Sequence, residues 1–145
     1  MSHTFDAIDP DPAHLTGLIT GFEVLDPDLN PNRVLQSDLD WSIKVDWNIS
    51  GSIAGGLGGV WQVRAYAESI GGGFEGQVGA DVLVDPSVAP ATASRSYTAT
   101  VDVSAGFLPD GAYKLVVLIN YTNGGLPQQM AAFVEGPVVQ IYTPS

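Results

Sequence analysis

Asp40–Ser50 reads DWSIKVDWNIS, with Trp41, Ile43, Val45, Trp47 and Ile49 at every second position and Ser42, Lys44, Asp46 and Asn48 between them. In an extended chain successive side chains point to opposite faces, so this segment has one apolar and one polar face. It reads as a half-buried β-strand. The same period of two recurs on both sides. In Val60–Ser69, Trp61, Val63, Ala65 and Ala67 alternate with polar residues that include Gln62, Arg64 and Glu68. In 74–84, Phe74, Val78, Ala80, Val82 and Val84 share a face against Glu75, Gln77 and Asp81. In Ser94–Val103, Tyr97, Ala99, Val101 and Val103 alternate with Ser96, Thr98, Thr100 and Asp102. Residues 15–25 form an amino-terminal candidate weakened by Gly17 and Gly21, and 112–121 is apolar on both faces, as a central strand would be. The last extended region, 128–142, is interrupted by Gly136 and Pro137, which suggests an edge strand with a bulge or a switch between sheets.

No stretch of about twelve residues carries apolar positions at helical spacing without interruption. Gly-rich and Pro-rich turns separate the extended runs, as in GSIAGGLGG, DPSVAP, LPDG and TNGGLP. Seven strands are expected, or eight if the last divides. That spacing favours an all-β chain, an antiparallel β-sandwich or a small barrel, over βαβ units, and the sandwich is the expected fold. The domain is expected over residues 15–145, behind an acidic, Pro-containing leader at 1–14 that is expected to be flexible. Within it, PDGAYKLVVLI at Pro109–Ile119 resembles the entry to the penultimate strand of immunoglobulin-like and fibronectin type III-like domains. The resemblance implies an immunoglobulin-like sandwich in which the Tyr113 hydroxyl bonds back to the preceding corner. Trp47 or Trp41 would be similar to the core tryptophan of those folds. A fold of this kind hosts many functions, so the likeness carries no activity with it.

Composition narrows function mainly by exclusion. Leu, Ile, Val and Phe account for 41 of the 145 residues, enough to bury a core. Cysteine is absent, which removes disulfides, thiolate nucleophiles and thiolate metal sites. Sixteen acidic residues against five basic ones give a net charge of -11, so the chain is not expected to hold a nucleic-acid backbone. The longest apolar run, 115–119, is too short for a membrane-spanning helix, and no membrane insertion is expected. Met1–Pro12 lacks the basic and apolar regions of a secretory signal, which makes the cytoplasm the default compartment.

The candidates for chemistry are few. His3 and His14 both fall in the leader, and neither a G-x-S-x-G elbow nor a Ser-x-x-Lys motif occurs. Enzymatic activity is not expected. The glycines at 55–59 and 71–73 lack the residues of a phosphate loop and read as hairpin loops. In DPDLNPN, Asp26, Asp28, Asn30 and Asn32 place oxygens at alternate positions, followed by Asp38 and Asp40, an arrangement a calcium ion could use. Pro31 stands where a calcium loop needs glycine and Ser37 where it needs glutamate. An Asx-rich turn capping its own backbone is the favoured reading. Asn48-Ile49-Ser50 and Asn120-Tyr121-Thr122 match the glycosylation pattern, which carries little weight without a secretory signal.

A mean hydropathy of +0.16 together with few charges suggests more apolar surface than a lone domain usually shows, and Tyr66, Val116, Leu118, Phe133 and Ile141 fall off the main apolar face by alternation. These features lead to a non-catalytic domain that acts by self-association or by docking into a larger assembly, with no cofactor required. The alternative is a ligand-binding module, for carbohydrate or another small ligand. It would use Trp61, Tyr66 and the Gly-rich loops, with or without calcium.

Overall fold

The computed structural model describes residues 3–4, 16–51, 59–86, 94–123 and 126–144, with side chains described over 17–51, 59–86, 94–122 and 131–144. Nine strands follow in order: β1 (His3–Thr4), β2 (Thr16–Leu25), β3 (Val34–Gln36), β4 (Trp41–Ser50), β5 (Val60–Ser69), β6 (Glu75–Val84), β7 (Ser94–Val103), β8 (Gly111–Asn123) and β9 (Leu126–Tyr142). There is no α-helix among the described residues. The strands form two sheets, ordered β1-β2-β4-β7 and β3-β9-β8-β5-β6. All pairings are antiparallel except that of β3, which runs parallel to β9 through Val34–Gln140, Leu35–Ile141 and Gln36–Tyr142.

The alternation in β4 sets the core. Ile43, Val45, Trp47 and Ile49 are fully buried and Trp41 nearly so. They join Trp61, Val63, Ala65 and Ala67 of β5 and Leu115, Val117 and Ile119 of β8, so one hydrophobic cluster draws on both sheets. An aromatic group lies within it: Trp47 stacks on Tyr97 at 5.6 Å between ring centroids and meets Trp61 edge-on at 5.9 Å. Tyr121 meets Trp61 at 5.4 Å, and its hydroxyl accepts a hydrogen bond from the Gly59 amide at 2.6 Å. Such pairs add to the burial of their large apolar area.

Two bulges alter the faces expected from alternation. Val63 of β5 opposes Val82 of β6 while Ala65 opposes Val78, so β6 spends two extra residues over that step. Val78 and Val82 keep facing inward, but Ala80, expected on the core face, lies in the bulge and is exposed. The second bulge is at Gly136 and Pro137, since Val116 opposes Glu135 and Lys114 opposes Val138. The extra residue reverses the alternation beyond it, so Ile141, expected off the main face, is in the core at 1% exposure and Val138 is turned outward. β9 is a single strand with neighbours on both sides. Pro137 is tolerated because β3 reaches only Gln140–Tyr142, which leaves no ladder partner to need its missing N–H.

At the entry to β8, the Tyr113 hydroxyl donates to the Pro109 carbonyl at 2.7 Å. The Tyr97 hydroxyl donates to the Pro86 carbonyl at 2.9 Å. Burial pushes both hydroxyls above their ordinary value of 10.0, with Asp110 adding to the effect at Tyr113. The folded chain therefore holds two protons that the unfolded chain releases as pH rises through about 10. Their contribution is fully present below that pH and is lost as pH climbs through the folded-state values. Thermal midpoints are expected to fall above pH 10 more steeply in the native chain than in Tyr97→Phe. An identical alkaline slope in the two would contradict this assignment.

Candidate functional site

The feature that stands out is the outer face of the five-stranded sheet. Tyr66 of β5 opposes Val116 of β8 in register, and Leu118 of β8 opposes Phe133 of β9. Val116 is buried at 2% exposure yet stands outside the core cluster, covered by its neighbours on the outer face. Phe133 is 58% exposed and Val138 49%. Leu83 of β6, opposite Gln62, adds an exposed side chain at the far edge. Tyr66 and Leu118 are half-buried. These apolar side chains make a diagonal step over β9, β8 and β5, with Arg64 opposite Leu118 and Glu135 opposite Val116, while Leu83 stands apart in the row of Gln62 and Asn120.

Ion pairs stand among these residues on the same face. Lys114 Nζ lies 2.9 Å from Glu135 Oε2, and Arg64 Nε lies 3.2 Å from Asp81 Oδ2. Asp81 also accepts from Gln77 Nε2 at 2.6 Å and from Gln62 Nε2 at 3.0 Å. The Gln77 hydrogen bond, followed by Arg64, holds the Asp81 carboxyl below its ordinary 3.8. That contribution is present above the ordinary value and is lost as pH falls through the folded one. Solvent screening keeps it small.

Trp61, expected at an open aromatic site, is fully buried between Trp47, Tyr97 and Tyr121. It faces inward because it shares the period of Val63 and Ala65. A binding surface that relies on it has no exposed indole to use. The Gly-rich loop at 52–58 lies outside the described residues, as does His14; His3 is described only as part of β1, paired with Ile19.

The Asp-rich segment forms a turn closed on itself. Asp26 Oδ1 accepts from the amides of Asp28 and Asn30, each at 3.0 Å, and Asn32 Oδ1 accepts from Val34 N at 3.0 Å. Leu29 takes a left-handed φ of 64° within it. Asp40 Oδ1 accepts from Ala105 N at 2.8 Å, which ties the start of β4 to the β7–β8 connection. Asp26 and Asp40 share a shallow pocket of about 300 Å³ with Trp41, Ser42 and Asp102. Asp28, Asn30 and Asp38 do not line it. Among the described residues no three His, Asp or Glu side chains come together as a metal-binding group. Asn48 of the first glycosylation pattern is half-buried, with its amide donating to Ser94 and Ser96 at 3.1 Å.

No family model matches the chain, and no curated protein matches it. Among solved structures, it is similar to part of a provisionally assigned beta-galactosidase from Bacteroides fragilis, at 13% identity and a TM-score of 0.41. The match covers 79% of this chain and 15% of that one. A likeness of that size distinguishes no fold family and no activity.

Proposed function

We propose that this chain is a non-catalytic, immunoglobulin-like β-sandwich that works by association, docking through the outer face of its five-stranded sheet. Three features support the fold reading: the division into β1-β2-β4-β7 and β3-β9-β8-β5-β6, the parallel seating of β3 on β9, and the Tyr113–Pro109 hydrogen bond at the β8 corner. The observation that carries the functional reading is the pairing of Tyr66 with Val116 and of Leu118 with Phe133 on a face turned away from the core. Phe133 and Val138 are the most exposed apolar side chains beside these pairs, and aromatic residues are enriched at interface centres.

A photo-reactive phenylalanine analogue placed at position 133 tests the reading in the cells that make the protein. Position 98, exposed on the outer face of the four-stranded sheet, is the control. Adducts of defined mass are expected from position 133 and not from position 98. No adduct from 133, or equal yields from both, would overturn it.

A further inference from the structure

We propose that the pocket beside the turn at 26–32, on the four-stranded sheet, binds a guanidinium group carried on an alkyl stem; the site is separate from the docking face. The pocket forms where that turn meets the start of β4 and the end of β7. Asp26, Asp40 and Asp102 bring three carboxylates to it, and no basic residue lines it. On a chain of net charge -11 such a gathering of acids by itself defines nothing. Ser42 is the observation that points to a ligand. Alternation puts it on the polar face of β4, opposite the exposed Asp102, yet it is only 5% exposed itself. It lines the pocket, and its hydroxyl makes no hydrogen bond with any described residue. A hydroxyl so buried is costly to leave without a partner, and a group entering the pocket supplies one.

The carboxylates are set for the same guest. Asp26 Oδ1 is held by the amides of Asp28 and Asn30, and Asp40 Oδ1 by the Ala105 amide. Each carboxylate is thereby fixed in orientation while its Oδ2 stays open to a donor. The three do not converge as a metal-binding group among the described residues. A single small ion therefore does not reach them all, and an ammonium, whose donors sit on one atom, meets the same limit. A guanidinium presents five N–H donors in a planar fork that serves separated acceptors. Pro27, Leu29 and Val103 add apolar lining that suits the stem, and a volume of about 300 Å³ takes the group with part of that stem. The stem belongs to an arginine side chain of a peptide or to a free alkyl guanidine, two sources that one titration separates.

The test follows backbone amide shifts of the isotope-labelled whole chain at physiological salt during titration with n-butylguanidinium, and separately with a blocked Gly-Arg-Gly peptide. Saturable shifts are expected at Leu29, Ser42 and Asp102. Saturation by the peptide alone assigns the site to an arginine of a protein partner, and saturation by n-butylguanidinium, with or without the peptide, to a free guanidine as well. n-Butylammonium, with the same charge and stem, is expected to bind at least about 10-fold more weakly. Ser42→Ala should raise the dissociation constant about 10-fold and Asp102→Asn at least as much, since each removes a hydrogen bond to a charged group. Asp28→Asn takes the same charge from the turn but not from the pocket lining, and should change it less than about twofold. Thermal midpoints of the three variants, measured alongside, separate lost binding from lost folding. No saturable shift with either probe, equal affinity for n-butylammonium, or an equal loss in Asp28→Asn and in the two pocket variants would overturn the inference. So would calcium that moves these amides where neither guanidine does.

Discussion

Trp47→Ala is expected to cost about 3–5 kcal/mol of folding stability, a large share of what a domain of this size has. Trp47 is fully buried and touches aromatic rings from both sheets, Tyr97 of β7 and Trp61 of β5. Removing the indole opens a cavity where the sheets meet, and the rings around it are held by strands that cannot close the gap without moving. Urea unfolding followed by circular dichroism should show the midpoint falling sharply. Trp47→Phe separates packing from polarity: its Nε1 has no hydrogen-bond partner among the described residues, so phenylalanine keeps the stacking and removes a buried unpaired N–H. Its cost is expected to be no more than about 1.5 kcal/mol. Equal losses in the two variants would contradict the placement of Trp47.

Gly79→Ala is expected to cost roughly 3 kcal/mol or more, the sum of a left-handed backbone and a backbone collision. Gly79 has a φ of 71°, and a Cβ there would lie 2.6 Å from both the Asp102 carbonyl oxygen and Val101 Cγ1. This is where the bulge of β6 brings the edge of one sheet against β7 of the other. Gly72→Ala is the control, since Gly72 has a φ of 94° with nothing within 4 Å of the added carbon. It should show only the conformational cost, about 1–2 kcal/mol. If both substitutions cost the same by thermal unfolding, β6 and β7 do not approach as described.

These two residues also mark how far the fold is legible in the sequence. Trp47 is readable because β4 keeps its period of two from Trp41 to Ile49 with no interruption, and each residue assigned to the core face is buried. Gly79 is not, because nothing local distinguishes a glycine that kinks a strand from one that merely weakens it. The bulge it serves is set by pairing with β5, fifteen or so residues away in sequence. The same holds for Val138 and Ile141. Gly136 and Pro137 announce an irregularity, but whether the chain gains one residue or two there decides which face each later side chain takes. β3 is three residues long and has no period to read, and its parallel seat on β9 comes from a contact across most of the chain.

The candidate surface divides in the same way. Tyr66, Val116 and Leu118 fall on the outer face by alternation within β5 and β8, whose mutual pairing keeps one register throughout, and Phe133 joins them as the partner of Leu118. Trp61 was ambiguous only in function, since its alternation already placed it with the core, and burial removes it from any open site. The Asp-rich turn shows why carboxylate spacing alone says little. Two of the four, Asp26 and Asn32, are drawn to nearby backbone amides, a use of these side chains that requires no ligand.

The most direct test of the central claim, that the outer face of the five-stranded sheet is covered when the protein works, is hydroxyl-radical footprinting of two phenylalanines. Phe133 is 58% exposed and Phe107, in the β7–β8 connection, 44%. In dilute purified protein Phe133 should be oxidised at least as fast as Phe107. In the cells that make the protein the account expects Phe133 to become the slower of the two while Phe107 holds its rate. A ratio that stays the same in both settings would show that the face remains open and that the association account is wrong.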